Sequence, residues 1–499
     1  MQRVFVGCVL AAVAVLPSAT LAASAKSART TSQNDPRTGV LEQRLRELDR
    51  ELAEIKKTQA QQSIYNSAVL DLKRSSSDQY AEIKKDMAAQ NKVALDNGRP
   101  TIASRDGNFT WAARSLMQFD AGYFAQGRNP AGVDLNSGTN FRRAQLGFQG
   151  TVMKDWAYNF IYDFGGYGVE GRGYIYNAYI EYDGFRPFLF RIGAYTPGEG
   201  QEDQTSSGEL FFPERAAPVD IARNLAGAPS REAASMFLQG DTYLLSLSYT
   251  GKKTGDGTST GAAVGTFDAQ QAVIGRAAWL AYASTEAKWV IEGHLTDVLK
   301  PADPTPSGSG PVATGVRLSN GTEVAVDASK TVDTGNIDAK NFREFGFETA
   351  GTYDRFYAQG GWFRYEVERR VAVPNPHFTG WYAFAAYSLT GEQHPYDSST
   401  ATFRNIRPAR PLGSAGGWGA WELAARYSNI NLDFLASNTA ATGGIAGGKQ
   451  DVWTLGVNWY PNNTIKFQLD YLNIQANHKN APSTNISANA VVLRSQVAF

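Results

Sequence analysis

The sequence predicts an all-β transmembrane barrel of about 16 antiparallel strands, preceded by an N-terminal α-helical coiled-coil segment. From residue 109 to residue 499, hydrophobic residues alternate with polar ones, as in strands whose two faces meet different surroundings. Short turns alternate with longer polar segments along the same stretch. Beyond the first 25 residues no run of 18 apolar residues occurs, so a membrane protein with this sequence must cross the membrane as a closed barrel.

The first 25 residues have the features of a secretory signal peptide. Arg3 supplies a positive charge, residues 4–16 form a short apolar run, and Ala23-Ser24-Ala25 is a small-residue cleavage site, with Ala23 as an alternative end point. The single cysteine, Cys8, lies in residues 1–25. The mature chain is therefore expected to contain neither a disulfide nor a reactive thiol.

A flexible lead at residues 26–39 is predicted to be followed by a helical segment at residues 40–98. Five apolar residues in this segment follow the 4-3-4-3 spacing of a heptad seam: Leu41, Leu45, Leu48, Leu52 and Ile55. One interpretation is a single amphipathic helix on a surface. The other is a short coiled coil that joins subunits.

The barrel is predicted to occupy residues 104–499, where alternation is strict. In residues 464–472, for example, one face carries Ile465, Phe467, Leu469 and Tyr471, and the other carries Lys466, Gln468 and Asp470. A barrel with lipid outside and water inside requires an apolar face opposite a charged one. A soluble sandwich also alternates, but it rarely repeats aromatic residues so often on its buried face.

Two segments between strands need particular attention. Residues 197–232 form a long polar loop, which either folds inward as a constriction or remains a surface loop with solvated charges. Residues 391–416 are also long, although the strand count places them at the end of the barrel that carries short turns. Either this turn folds inward, or the strand count is wrong.

Several motifs in combination resemble the phosphate-selective porin O/P family over the whole barrel: 104–109 (SRDGNF), 141–147 (FRRAQLG), 212–215 (FPER), 417–428 (GWGAWELAARYS) and 494–499 (RSQVAF). The resemblance implies a trimeric, anion-selective porin of the Gram-negative outer membrane, with inward-folded loops. Some members have an N-terminal coiled coil, here expected in the periplasm, and members can fold a long periplasmic turn into the barrel. It also implies that the barrel-assembly machinery reads the terminal aromatic residue, here Phe499.

Arginines are the candidate anion ligands, because the planar guanidinium donates several hydrogen bonds to an anion. In the second strand, Arg143 and Gln145 share the face expected to line the pore. Arg142 has the opposite parity, so it must lie near a rim, lie next to a bulge or reach inward. The resemblance assigns both arginines to the anion path.

Other candidates come from the loops and from the lumen-facing positions. The loop at residues 197–232 contributes Arg215, Arg223 and Arg231. Residues 391–416 contribute Arg407, with Arg404 and Arg410 at three-residue spacing. These three arginines form either a second basic patch or part of a solvated loop. Lumen parity adds Arg114, Glu181, Arg191 and Arg426, most of which are expected to pair with one another. Asn177 stands where the resemblance leads us to expect an acid in phosphate-specific members. The expected solutes are therefore phosphate, polyphosphate or related small anions.

The sequence predicts no enzyme, cofactor, metal site or nucleic-acid partner. The four histidines lack metal-ligand spacing. The predicted function is passive passage of small anionic solutes, with outer-membrane lipids, the assembly machinery and copies of the same chain as partners. The alternatives are a structural envelope tether anchored by the barrel and an outer-membrane barrel enzyme.

Overall fold

A computed structural model describes residues 36–89, 91–96, 98–127, 133–166, 170–254, 269–302 and 315–499. The predicted signal peptide and most of the predicted flexible lead lie outside these residues. The chain divides into two compact units, which meet at Ala88 and Ala89. The first contains the helix α1 (Pro36–Ala89), and the second contains the barrel.

Sixteen antiparallel strands close into the barrel, as the sequence predicts. The first eight are β1 (Thr110–Gln126), β2 (Gly138–Val152), β3 (Trp156–Asp163), β4 (Tyr174–Tyr182), β5 (Phe188–Tyr195), β6 (Arg231–Gln239), β7 (Tyr243–Lys253) and β8 (Gln271–Ala283). The last eight are β9 (Ala287–Lys300), β10 (Ile337–Tyr353), β11 (Phe356–Arg369), β12 (His377–Ser388), β13 (Ala420–Phe434), β14 (Ile445–Tyr460), β15 (Ile465–Asn477) and β16 (Ile486–Ala498). Because β16 pairs with β1 in register from Ala488↔Gln126 to Ala498↔Leu116, the closed sheet has no free edge.

The two faces of each strand differ as a membrane barrel requires. On β15, Leu469 and Tyr471 face outward and are nearly half exposed, whereas Gln468 and Asp470 between them are buried inside. Each outward-facing apolar side chain can be covered by lipid, and each inward-facing polar one can meet other polar groups. The alternation read from the sequence is thus the alternation between these faces.

The connections distinguish the two ends of the barrel. At one end, which we call the turn end, all the connections are short except residues 389–419. At the other, the loop end, most connections are longer. The strand count is therefore correct, and the long segment belongs to the turn end.

Residues 389–419, which we call the inward turn, fold into the barrel. The Phe403 ring packs edge-on against Tyr357 of β11 with ring centroids 5.3 Å apart. His394 Nε2 lies 2.5 Å from Glu422 Oε1 on β13, and Arg276 of β8 donates a hydrogen bond of 2.8 Å to the Thr400 carbonyl. Of the two alternatives that the sequence left open for this segment, the inward fold is the one observed.

The helix α1 ends at Ala89, earlier than residue 98, where the predicted helical segment ends. A hairpin follows it, with Lys92–Asp96 paired to Arg99–Ala103 and Gly98 at a φ of +81° in its turn. Val93 and Leu95 share one side of this hairpin, a period of two that the helical pattern obscured. In the described part of the chain, no helix combines the length and the apolar character that a membrane span needs.

Candidate functional site

The connection between β5 and β6, residues 196–230, crosses the interior of the barrel. This segment, called loop 3 below, contains the helices α2 (Gln201–Gln204) and α3 (Ala217–Ala226) and is mostly buried. Its carbonyl groups accept hydrogen bonds from the far wall: Phe211 from Asn458 of β14 and from Gln468 of β15, each at 3.0 Å, and Gly208 from Gln496 of β16 at 2.8 Å. Loop 3 therefore spans the lumen.

Glu214 anchors the middle of loop 3 to two strands. Arg142 of β2 donates to both of its carboxylate oxygens, at 2.6 and 2.9 Å, and Arg494 of β16 donates at 3.0 Å. Arg494 also holds Asp120 of β1 through two hydrogen bonds of 2.6 Å. Burial raises the pKa of Glu214, but the charges of Arg142 and of neighbouring arginines outweigh it and hold that pKa well below its usual range.

A β-bulge explains how Arg142 reaches the lumen. Gln118 pairs with Arg143 and Phe119 pairs with Phe141, so Arg142 is an extra residue without a partner position on β1. A bulge shifts the side-chain alternation by one residue. Arg142 therefore points inward although its parity in the sequence is that of the lipid face. A position at a bulge was one of the three alternatives left open by the sequence.

Arg143 lies beside this ion-pair network and is buried. It donates a hydrogen bond of 2.7 Å to Gln118 Oε1, and Gln118 donates in turn to the Ser207 carbonyl of loop 3 at 3.0 Å. Within the described residues, no carboxylate lies at ion-pair distance from Arg143. Arg142 and Arg494 pair with Glu214 and Asp120, and Arg143 adds a positive charge beside these ion pairs.

The other arginines predicted in loop 3 hold the loop itself. Arg215 donates to three loop carbonyls, those of Glu202, Asp203 and Thr205, at 2.6–3.1 Å. Arg223 pairs with Asp203 Oδ1 at 2.5 Å. Arg231, the first residue of β6, donates to the Leu225 carbonyl at 3.0 Å and closes the end of the loop.

The helix α3 fills one side of the lumen. Its apolar side chains Val219, Ile221 and Ala222 are buried in one cluster with the inner face of β8 to β13. The Tyr365 hydroxyl of β11 donates to the Pro218 carbonyl at 2.6 Å. This half of the barrel is therefore packed, whereas the other half contains open space.

A cavity of about 500 Å³ occupies that other half, toward the turn end. The strands β1 to β5 form one wall, and loop 3 and the inward turn form the other. Seven cationic side chains line it: Arg114, Arg191, Arg215, Arg223, Arg404, Arg407 and Lys466. Among the described residues, two acidic side chains do so, Asp203 and Glu209, and the lining side chains therefore carry a positive excess.

Some of these cations are neutralised and others are not. Arg223 pairs with Asp203, Arg191 pairs with Glu181 at 2.6 Å, and Arg404 pairs with Asp397 of the inward turn. The Arg404 hydrogen bond helps to lower the pKa of Asp397, against burial, which raises it. Across the part of the chain that the structure describes, Arg114 and Arg407 have no hydrogen-bond or ion-pair partner.

The structure brings only some of the predicted residues to one place. The large cavity is lined by Arg114, Asn177, Arg191, Arg215, Arg223, Arg407 and the terminal Phe499. Glu181 lines a second cavity of about 260 Å³, which shares Arg191 with the first. Arg426 lies in the network around loop 3, where it donates to Glu323 at 2.6 Å and to the Glu214 carbonyl at 2.7 Å.

Two features of the lumen were not predicted from the sequence. The connection between β9 and β10 also reaches inward, and its Glu323 accepts hydrogen bonds from Arg426 and from the first amide of α3, the latter at 2.8 Å. On β4, a register shift opposite Ile161 and Tyr162 lets both Tyr176 and Asn177 line the cavity. The inward path of the β9–β10 connection could have been suspected from its length. The register shift on β4 leaves no pattern in a single sequence.

Comparison with known proteins gives the family. The sequence profile described as phosphate-selective porin O and P matches residues 112–499. Porin O of Pseudomonas aeruginosa is 26% identical over 428 residues, which cover 82% of this chain and 92% of that protein. An uncharacterized protein of Caulobacter vibrioides is 25% identical over 389 residues, which cover 75% of this chain and 70% of that one. The crystal structure of the outer-membrane channel DcaP of Acinetobacter baumannii has a TM-score of 0.48 at 12% identity and covers 79% of this chain and 98% of DcaP. The chain belongs to the phosphate-selective porin O and P family and is an outer-membrane porin.

Proposed function

We propose that this porin is a passive channel that prefers anions such as phosphate, polyphosphate or related small anions. The observation that supports this preference most is the positive excess around the 500 Å³ cavity, in which Arg114 and Arg407 have no hydrogen-bond or ion-pair partner among the described residues. A water-filled path lined by one sign of charge concentrates solutes of the opposite sign. The family description supports the same class of solute.

Passage needs binding that is favourable but weak. Arg114 on the β1 wall and Arg407 on the inward turn attract an anion from two sides of the cavity. The neighbouring Arg191 and Arg223 already hold carboxylates, so they add positive potential without closing tightly on the solute. An anion can therefore move between arginines and leave.

Bilayer conductance with a salt gradient tests the proposal. The wild-type channel is expected to give a reversal potential of anion-selective sign, and phosphate is expected to compete with chloride current. An ion contact in water is worth about 1 kcal/mol, so Arg114→Gln should lower the anion-to-cation permeability ratio up to about fivefold. Lys340→Gln removes an equal charge far from the cavity, at an exposed ion pair, and should change nothing. Cation selectivity of the wild type, or equal effects of both substitutions, would refute the anion preference.

For the helix α1, we propose a periplasmic coiled coil that joins three copies of the chain. Its seam residues Leu41, Leu45, Leu48, Leu52 and Ile55 are 50–64% exposed, and apolar side chains at heptad spacing bury this area when helices associate. Removal of residues 26–98 separates this role from a tether function. If conductance persists and envelope attachment fails, the tether is the primary role; if only the trimer weakens, the coiled coil is an assembly element.

For Phe499, we propose the role of assembly signal. Its backbone pairs with Ser115 of β1, donating at 3.1 Å and accepting at 2.9 Å, so the last residue also completes the closing seam of the barrel. Replacing Phe499 by Ala keeps these backbone bonds. The variant should therefore fold in detergent as the wild type does but insert less efficiently in cells.

A further inference from the structure

A second cluster of charged side chains lies on the inner face of the wall opposite the cavity. Glu292 and His294 are on β9, and Glu344 and Glu348 are on β10. All four side chains are 0% exposed. Glu292 is directly opposite Glu348 in the strand register, and like charges in that position repel. Arg276 of β8 offsets part of this repulsion through its buried ion pair with Glu292.

The ring of His294 faces carboxylates on both sides. Its Nε2 forms a hydrogen bond of 3.1 Å with Glu344 Oε1, so Nδ1 is the ring nitrogen that faces Glu348. Nδ1 has no hydrogen-bond partner, and its nearest carboxylate oxygen, Glu348 Oε2, is 3.8 Å away, too far for a hydrogen bond. A buried nitrogen and a carboxylate at this separation can be bridged by a cation that binds both.

Glu292 leaves a second unpartnered atom in the same place. Arg276 of β8 donates to its Oε2 at 2.6 Å, but its Oε1 has no partner. One ligand atom each from Glu292, His294 and Glu348 all lie within 4.8 Å of one another. Two ligands bound to one Zn²⁺ at about 2.0–2.2 Å are roughly 3–4 Å apart, which matches the separation of Nδ1 and Glu348 Oε2.

The local backbone leaves room for this arrangement. Gly346 is opposite His294 in the register, and a Cβ at this glycine would lie 1.8 Å from His294 Nε2. A Cβ at Gly200 of loop 3 would lie 1.8 Å from Glu348 Oε2. Both positions therefore require glycine as long as His294 and Glu348 point into the cluster.

We propose that Glu292, His294 and Glu348 form a binding site for a divalent transition-metal ion of the zinc class. A mixed set of one imidazole and two carboxylates suits zinc better than calcium, which prefers oxygen ligands alone. Glu344 orients the imidazole through its other nitrogen, as carboxylates do for metal-bound histidines. Because Glu348 also accepts the amide N–H of Gln201 at 2.6 Å, the ion fastens loop 3 to this wall.

Zinc binding to the folded porin tests the site. Untagged wild-type protein is treated with EDTA, incubated with equimolar ZnCl₂, desalted, and measured for zinc by mass spectrometry. The expected result is one zinc per chain, with affinity at least tenfold weaker in His294→Gln and about 10-fold weaker in Glu344→Gln, the range for a group that supports a ligand. His377→Gln, at the exposed start of β12, should bind as the wild type does.

A readout that needs no variant guards against misfolding. X-ray absorption at the zinc edge of the wild type should show one imidazole among oxygen ligands, and each variant is checked for its folded band on an unheated gel. Wild type that retains no zinc, or an edge spectrum without imidazole, would overturn the site. Equal zinc binding by wild type and folded His294→Gln would do the same, since the ion would then lie elsewhere.

Discussion

Glu214 is the residue on which the position of loop 3 depends most. Replacing it by Gln removes the charge that three arginines surround, among them Arg142 with two hydrogen bonds and Arg494 with one. Removing one partner of a buried pair costs about 3–5 kcal/mol. Since the side chains of Glu214 and Arg142 remain 14% and 17% exposed, we take the lower end, about 3 kcal/mol.

Trypsin cleavage measures this free energy, because Arg215 and Arg223 are cleavage sites that are buried while the loop is closed. When opening is fast relative to cleavage, the cleavage rate follows the population of the open loop. A loss of about 3 kcal/mol should raise the rate about 100-fold, at 1.4 kcal/mol per factor of ten. Fragments that end at Arg215 or Arg223 are quantified by mass spectrometry.

The matched control is Glu232→Gln. Its carboxylate is 58% exposed and lies 3.5 Å from Lys252, so its loss should change loop 3 cleavage less than twofold. Cleavage of Glu214→Gln at the wild-type rate would mean that the other contacts of loop 3, such as those at the Phe211 and Gly208 carbonyls and around α3, hold it without Glu214. The ion-pair argument would then be wrong.

The remaining predictions concern pH, the inward turn, the outer face and the helix. The pKa of Glu214 is held well below its ordinary value near 4.5, so its contribution to loop stability is fully present above pH 4.5 and is lost only as the pH falls well below that value. Pepsin cleavage of loop 3 should therefore rise only in strong acid. A rise already at pH 5 would contradict this. Phe403→Ala removes a 2% exposed ring that packs on Tyr357 and costs about 3–5 kcal/mol, so the inward turn should loosen and single-channel conductance should increase. Leu455→Arg on the outer face should lower unfolding free energy in lipid vesicles by about 2–4 kcal/mol, whereas Leu455→Met should not. A peptide of residues 36–89 should become more helical with concentration by circular dichroism, and Leu45→Glu should abolish that dependence.

The barrel itself could be predicted because its two surroundings impose a period of two on every strand. The pairs Leu469 and Gln468, or Tyr471 and Asp470, show the lipid face and the lumen face directly in the sequence. Closure and strand number follow from the even alternation of turns and loops. The inward turn was also detectable, since its length was out of place at the turn end.

The contacts inside the lumen could not be predicted from parity. Arg114 and Arg426 both have lumen parity. Among the described residues, Arg114 lines the cavity without a hydrogen-bond partner and Arg426 donates to Glu323, because the path of the loops decides which wall is covered. The cluster at Glu292 and Glu348 was missed for a related reason. Its members are 56 positions apart in sequence and meet only through the β9–β10 register, so no spacing motif announces them.

The bulge at Arg142 also has a genetic consequence. Because Gln118 pairs with Arg143 and Phe119 with Phe141, an in-frame deletion of the Arg142 codon would leave every strand pair on either side with its present partner. The strand would lose one charge and one irregularity at once, without slipping. Gain or loss of this one codon would therefore add or remove a lumen arginine, while the lipid-facing residues and the pairing of β16 with β1 would not change.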